Sequence, residues 1–133
     1  MNTIKDLWNN TSPITSDIWR KKKQEMINPR MYIILREDLS YKYIQGQHAL
    51  AQFAFDHYDD FVEWGNEYVI NLSVFNGLAL AELIDELTDK GLHKFSAFME
   101  PDLKSELYTA VCIFENGEGK VKDALSGCGL ATK

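Results

Sequence analysis

The sequence predicts an α/β fold, a three-layer α/β/α sandwich around a mixed four-stranded sheet, preceded by an N-terminal helical extension. Three observations carry that prediction. Met31-Tyr32-Ile33-Ile34-Leu35 is an unbroken apolar run of strand length, the pattern of a central strand covered on both faces. Leu78, Ala81, Leu83, Ile84 and Leu87 repeat at helical spacing, with Glu82, Asp85, Glu86 and Asp89 on the opposite side. Two further strand-like runs, 93–99 and 107–114, are separated only by a short polar turn, so they are expected to pair antiparallel.

Taken in order, residues 1–28 read as an extension and 29–133 as one domain. In the extension, Thr11-Ser12-Pro13 offers a helix cap followed by a first-turn proline. Ile14, Ile18, Trp19, Met26 and Ile27 then form one stripe of a helix over about 13–27, ending before Asn28-Pro29. After the first strand, Asp38-Leu39-Ser40 breaks the run. A helix from Gly46 to His57 follows, its small residues Ala49, Ala51 and Ala54 allowing close approach to the sheet, with Phe53 and Phe55 on different sides. Asp59 to Trp64 continues as helix until Gly65-Asn66 stops it. Glu67 to Phe75, rich in β-branched and aromatic residues, is the second strand. Asn76-Gly77 turns the chain into the second main helix, which Lys90-Gly91 closes with a cation and a glycine. A short helix is predicted at Lys120 to Leu125 in a tail that starts at Asn116. The first two strand-to-strand connections are long enough for right-handed crossovers.

Composition narrows the function classes. The net charge of −6 is a poor field for unspecific nucleic-acid binding, although a local basic patch can dominate near a site. The densest patch is Arg20-Lys21-Lys22-Lys23, readable as a solvated helix face or as a guide for RNA. Cys112 and Cys128 have no metal spacing and fit a reduced, cytoplasmic chain. Met1 to Trp8 lacks the apolar stretch of a signal peptide, and no apolar run approaches the ~20 residues of a membrane span. No nucleophile elbow or phosphate-binding loop occurs, and Gly117-Glu118-Gly119 is too short for a dinucleotide fingerprint. His48, His57 and His93 lack metal-ligand spacing, so neither a metal nor a cofactor is expected.

In an open α/β sheet, ligands collect beyond the carboxyl ends of the parallel strands. The first strand delivers Arg36, Glu37 and Asp38 there, and a helix opening at Gly46 points its amides at the same edge. If the third strand runs parallel to the first, Glu100 and Asp102 arrive there too. Asp38, Gly46, Gln47, His48, Gln52 and Asp102 are then candidates for one polar cluster, the alternatives being a loop carboxylate at Asp38 and a turn residue at Asp102. His57, among Asp56, Asp59 and Asp60, reads as a helix-surface residue, and Cys112 as inert core.

The ordered segments Arg36-Glu37-Asp38-Leu39, Gly46, Ala51-Gln52, Glu100-Pro101-Asp102-Leu103 and Thr109-Ala110 resemble the peptidyl-tRNA hydrolase II family, in its compact bacterial and phage branch, over about residues 31–126. The resemblance implies hydrolysis of the ester joining a peptide to the 3′ end of tRNA, with peptidyl-tRNA as partner and possible homodimers. It implies that Asp102 orients or activates water, that Thr109 supports it, and that Arg36, Asp38, Gly46 and Gln52 bind substrate or fix the polar network. The broader family opens this helix with Gly-Lys. Here Gln47 or His48 stands at the lysine, depending on whether Gly46 or Ala51-Gln52 sets the count. Gln47 is therefore placed with the substrate-binding residues. His48 is the catalytic stand-in, as an imidazolium or general base. Phe55 replaces a common histidine, Glu67-Tyr68 replaces lysines at the second strand, and the Ser40 to Gln45 loop is long. Two functions follow as expectations, a peptidyl-tRNA hydrolase or an inactive member of the fold that binds protein or RNA.

Overall fold

The computed structural model describes residues 29–102 and 107–132. The proposed extension, its helix over 13–27 and the Arg20 to Lys23 run lie outside the described residues. Strand β1 (Arg30–Arg36) leads to helix α1 (Lys42–Asp56) and the short helix α2 (Tyr58–Trp64). Strand β2 (Tyr68–Val74), helix α3 (Gly77–Asp89), strands β3 (Phe95–Phe98) and β4 (Ala110–Glu115), helix α4 (Lys120–Ala124) and strand β5 (Gly129–Leu130) complete the order.

The result is an α/β fold with a mixed sheet of strand order β3-β4-β1-β2-β5. β1 and β2 are parallel, with Arg30 opposite Tyr68 and Arg36 opposite Val74. β4 runs antiparallel to β1 and to β3, so β3 is parallel to β1, which was the condition for a shared edge. The sheet has five strands rather than the expected four. The addition, β5, is two residues pairing at Leu72 with Leu130 and Ser73 with Gly129. A glycine beside an exposed leucine has no strand periodicity to read.

β1 lies centrally, and its side chains alternate between two apolar clusters. Tyr32 and Ile34 join Leu72, Val111, Ile113, Leu80, Leu83 and Leu87, which brings α3 onto one face, with Val121 of α4. Met31, Ile33 and Leu35 join Ala110, Cys112, Phe114, Ala49, Phe53 and Trp64, which brings α1 and α2 onto the other. Each fully buried side chain of this size stabilises by roughly 1.5–3 kcal/mol, so covering both faces of β1 explains its unbroken apolar run.

The main boundary correction is at α1, which begins at Lys42, one turn before Gly46. Tyr41 precedes it with no side-chain capping bond, so no cap residue announces the start. Gly46 is a contact glycine: a Cβ there would stand 2.6 Å from Leu35 Cδ2 and 2.9 Å from Ile33 Cγ2. Of the three alanines expected against the sheet, Ala49 is buried and Ala51 is exposed. Phe53 and Phe55 do face different sides, at 0% and 86% exposure. Gly65, at φ 65°, ends α2 in the left-handed conformation that glycine adopts without strain. Asn76, read as a turn, caps α3 by accepting from Ala79 N at 3.0 Å.

Candidate functional site at the carboxyl edge of the sheet

Because β1, β2 and β3 are mutually parallel, their carboxyl ends meet the start of β4 along one edge. Three polar groups occupy that edge. The first lies on the α1 side. Thr109, fully buried just before β4, donates its hydroxyl to Gln45 Oε1 at 2.8 Å. The Phe98 carbonyl, 3.0 Å from that hydroxyl, already accepts from Thr109 N at 2.7 Å. Gln45 Nε2 donates to Glu100 Oε2 at 3.4 Å, and Glu100 Oε1 accepts from Asp102 N at 3.4 Å. The amide orientation follows from the partners: the reverse would set Gln45 Oε1 against a carboxylate oxygen.

The second group lies on the α3 side. Arg36, buried, grips Asp38 with two bonds, Nε to Oδ1 at 3.0 Å and Nη2 to Oδ2 at 2.8 Å, while Nη1 donates to Tyr108 O at 3.2 Å. A Cβ on Gly77 would stand 3.0 Å from the guanidinium carbon, which places Arg36 against the start of α3. The Arg36 hydrogen bonds hold the Asp38 carboxyl below its ordinary value, against the opposing effect of desolvation.

The third group ties the C-terminal segment to the β1–α1 connection. Glu37 accepts from Lys42 Nζ, from Thr132 Oγ1 at 2.7 Å and from Thr132 N at 3.1 Å. Lys42 Nζ also donates to Thr132 Oγ1 at 2.9 Å, and Tyr43 donates its hydroxyl to Thr132 O at 2.7 Å. The bond from Lys42, then those from Thr132, depress the Glu37 pKa to about 2.

The predicted residues are therefore divided. Thr109, Asp102 and His48 share the α1 side: Asp102 is exposed on its turn, and exposed His48 stacks on Phe98 with ring centroids 4.9 Å apart. Thr109 is sealed from solvent, so its hydroxyl acts on neighbours rather than on a substrate. Arg36 packs against the start of α3, while Asp38, its partner, lines the pocket beside the start of α1 with Gln45. Gln47 is exposed. Gln52 sits farther along α1, donating to Asp56 Oδ1 at 2.8 Å, while Asp56 Oδ2 accepts from Ser96 Oγ at 2.8 Å. It supports Asp56, which ties α1 to β3, rather than joining Asp102.

The amide role expected of Gly46 needs correction. Gln45 N already donates to Tyr41 O at 3.2 Å, so the helix ladder is closed before Gly46. The amides at the open end of α1 belong to Lys42, Tyr43 and Ile44. A pocket of about 310 Å³ beside them is lined by Asp38, Leu39, Ser40, Tyr41 and Gln45.

Sequence reasoning missed Gln45 and Thr132. A helix expected to start at Gly46 leaves Gln45 in the preceding loop, which hides it. Its only signal is the three-residue spacing to His48, which puts both on one helix face. Thr132 carried no signal, because its contacts cross 95 residues to Glu37.

No family model matches the chain, and no curated protein matches it. Among the described residues no group of three or more His, Cys, Asp or Glu is placed to hold a metal ion. No described helix is long and apolar enough to cross a membrane.

Proposed function

We propose that this chain hydrolyses the ester between a peptide and the 3′ end of tRNA, using the carboxyl edge of the sheet as its site. The observation that carries the reading is the parallel β3, which delivers Glu100 and Asp102 to the edge where α1 begins, with Gln45 bonded to Glu100 and to Thr109. The resemblance in the ordered motifs supplies the substrate, and the three-layer α/β/α arrangement is part of the same reading. Ester hydrolysis needs an oriented water and a stabiliser for the developing oxyanion. Asp102, exposed at the rim, orients the water. His48, exposed and held flat on Phe98, takes the water's proton or, as an imidazolium, faces the oxyanion. Thr109 acts from behind through Gln45. The open amides at Lys42 to Ile44, with Gln47 nearby in sequence, face the phosphate chain.

Of the second reading, a non-catalytic module that binds RNA or protein, one observation favours the protein partner. Arg36 and Lys42, cations at this edge, are paired with Asp38 and Glu37. A polyanion therefore meets cations already neutralised.

Single-turnover hydrolysis of a model peptidyl-tRNA separates the two. Asp102→Asn is expected to slow it at least ~10-fold, about 1.4 kcal/mol of barrier. An unchanged rate removes Asp102 from the mechanism. A wild-type chain that retains RNA or a protein partner without turnover establishes the binding module instead.

A further inference from the structure

We infer that Gln45 is the positioning residue that sets the pose of Asp102, through a relay running from Thr109 to Gln45 to Glu100 to the Asp102 amide. The inference rests on the reading of Asp102 as the water-orienting group. Gln45 is only 6% exposed yet spends both ends of its amide on partners from other parts of the chain. One partner, Thr109, is fixed by complete burial and by its own backbone bond to Phe98. The other, Glu100, closes the turn that presents Asp102. The relay thus joins the rigid start of β4 to an exposed turn, with α1 between them. Without it, the turn after β3 has no side-chain hydrogen bond to α1 among the described residues.

A purely structural glutamine and a positioning glutamine differ in what their loss moves. Gln45→Met keeps the volume and removes both hydrogen bonds. The expected result is a folded protein whose Asp102 backbone order, read by 15N relaxation, falls. Its maximal single-turnover rate on peptidyl-tRNA drops at least ~10-fold while KM stays within about twofold. Gln45→Glu is the second variant. Near neutral pH it sets a carboxylate against Glu100 and frees the turn. As the pH falls, one proton shared between the two carboxyls restores the donor, so Asp102 order recovers on acidification. Thr109→Val, which breaks the first link, is expected to loosen Asp102 in the same direction.

Unchanged Asp102 order in folded Gln45→Met overturns the inference, as does a Gln45→Glu defect that is equal at every pH. These NMR readings stand apart from catalysis. If wild-type protein fails to cleave peptidyl-tRNA, or Asp102→Asn cleaves at the normal rate, the proposed function fails while the relay is still judged on Asp102 order alone.

Discussion

Gly46→Ala tests whether Gly46 serves packing. The added Cβ would stand 2.6 Å from Leu35 Cδ2 and 2.9 Å from Ile33 Cγ2, both well inside van der Waals contact. Leu35 is fully buried and Ile33 is 5% exposed, so neither side chain has open space to enter. They move by displacing others in the cluster around Phe53 and Ala49. Overpacking of this kind costs typically 1–3 kcal/mol. Against it stands the better helix propensity of alanine, about 1 kcal/mol at an interior position. The net expectation is a loss of up to roughly 2 kcal/mol, toward the upper end because close-packed interiors transmit such a shift rather than absorb it. For a domain near this size, each kcal/mol lowers Tm by several degrees, about 3–6 °C. Urea unfolding followed by circular dichroism reads the difference as a lower midpoint at unchanged slope. Gly91, where a Cβ meets nothing within 4 Å, shows what contact glycines are not. A Gly46→Ala protein more stable than the parent, by the full gain in helix propensity, would refute the close approach of α1 to β1.

Two further outcomes follow from the same contacts. Asn76→Ala removes the acceptor for Ala79 N and is expected to cost about 0.5–2 kcal/mol, read as a lower urea midpoint; Asn76→Asp, which keeps an acceptor, is expected to lose much less. Glu37, lowered from 4.5 to about 2 mainly by Lys42, binds its proton more weakly folded than unfolded, so its contribution to stability is complete above about 4.5 and is lost as the pH falls through about 2. A carboxyl NMR titration is expected to follow Glu37 to that low value, with the Thr132 amide moving in step; a Glu37 midpoint near 4.5 would show that the C-terminal tie does not form.

The fold was legible where a physical period was present. The β1 run and the α3 stripe follow from burial on two faces and on one, the antiparallel β3–β4 pair follows from the nearness of the two runs in sequence, and the parallel β3 was legible as a condition on which the site depended. What escaped lacks such a period. β5 is too short to alternate, and α1 starts at Tyr41-Lys42 without a capping side chain. That one-turn error changed the chemistry assigned to the edge. It moved the open amides from Gly46 to Lys42, Tyr43 and Ile44, and turned Gln45 from a loop residue into a buried bridge. Residue identity named Arg36, Asp38 and Asp102 as edge residues. Only three dimensions separate Arg36, which closes on Tyr108 and packs against the start of α3, from Asp102, which is tied to α1.

The electrostatics of the edge then decide what kind of catalyst fits it. Arg36 is held by a bidentate bond to Asp38, and Lys42 by Glu37 and Thr132, so each cation is committed within the protein. Freeing either one would strand a carboxylate beside it, and for buried Arg36 it would also break the bond to Tyr108 O. A mechanism that recruits these cations to an oxyanion therefore works against the pairs that build the edge. One that relies on an exposed carboxylate, an exposed imidazole and backbone amides does not. Asp102 and His48 are the side chains at this edge that meet that condition. On the proposed reading, the position that the peptidyl-tRNA hydrolases it resembles fill with lysine is not rebuilt from neighbouring cations. In the proposed function, hydrolysis rests on orienting water through the Gln45 relay rather than on neutralising charge.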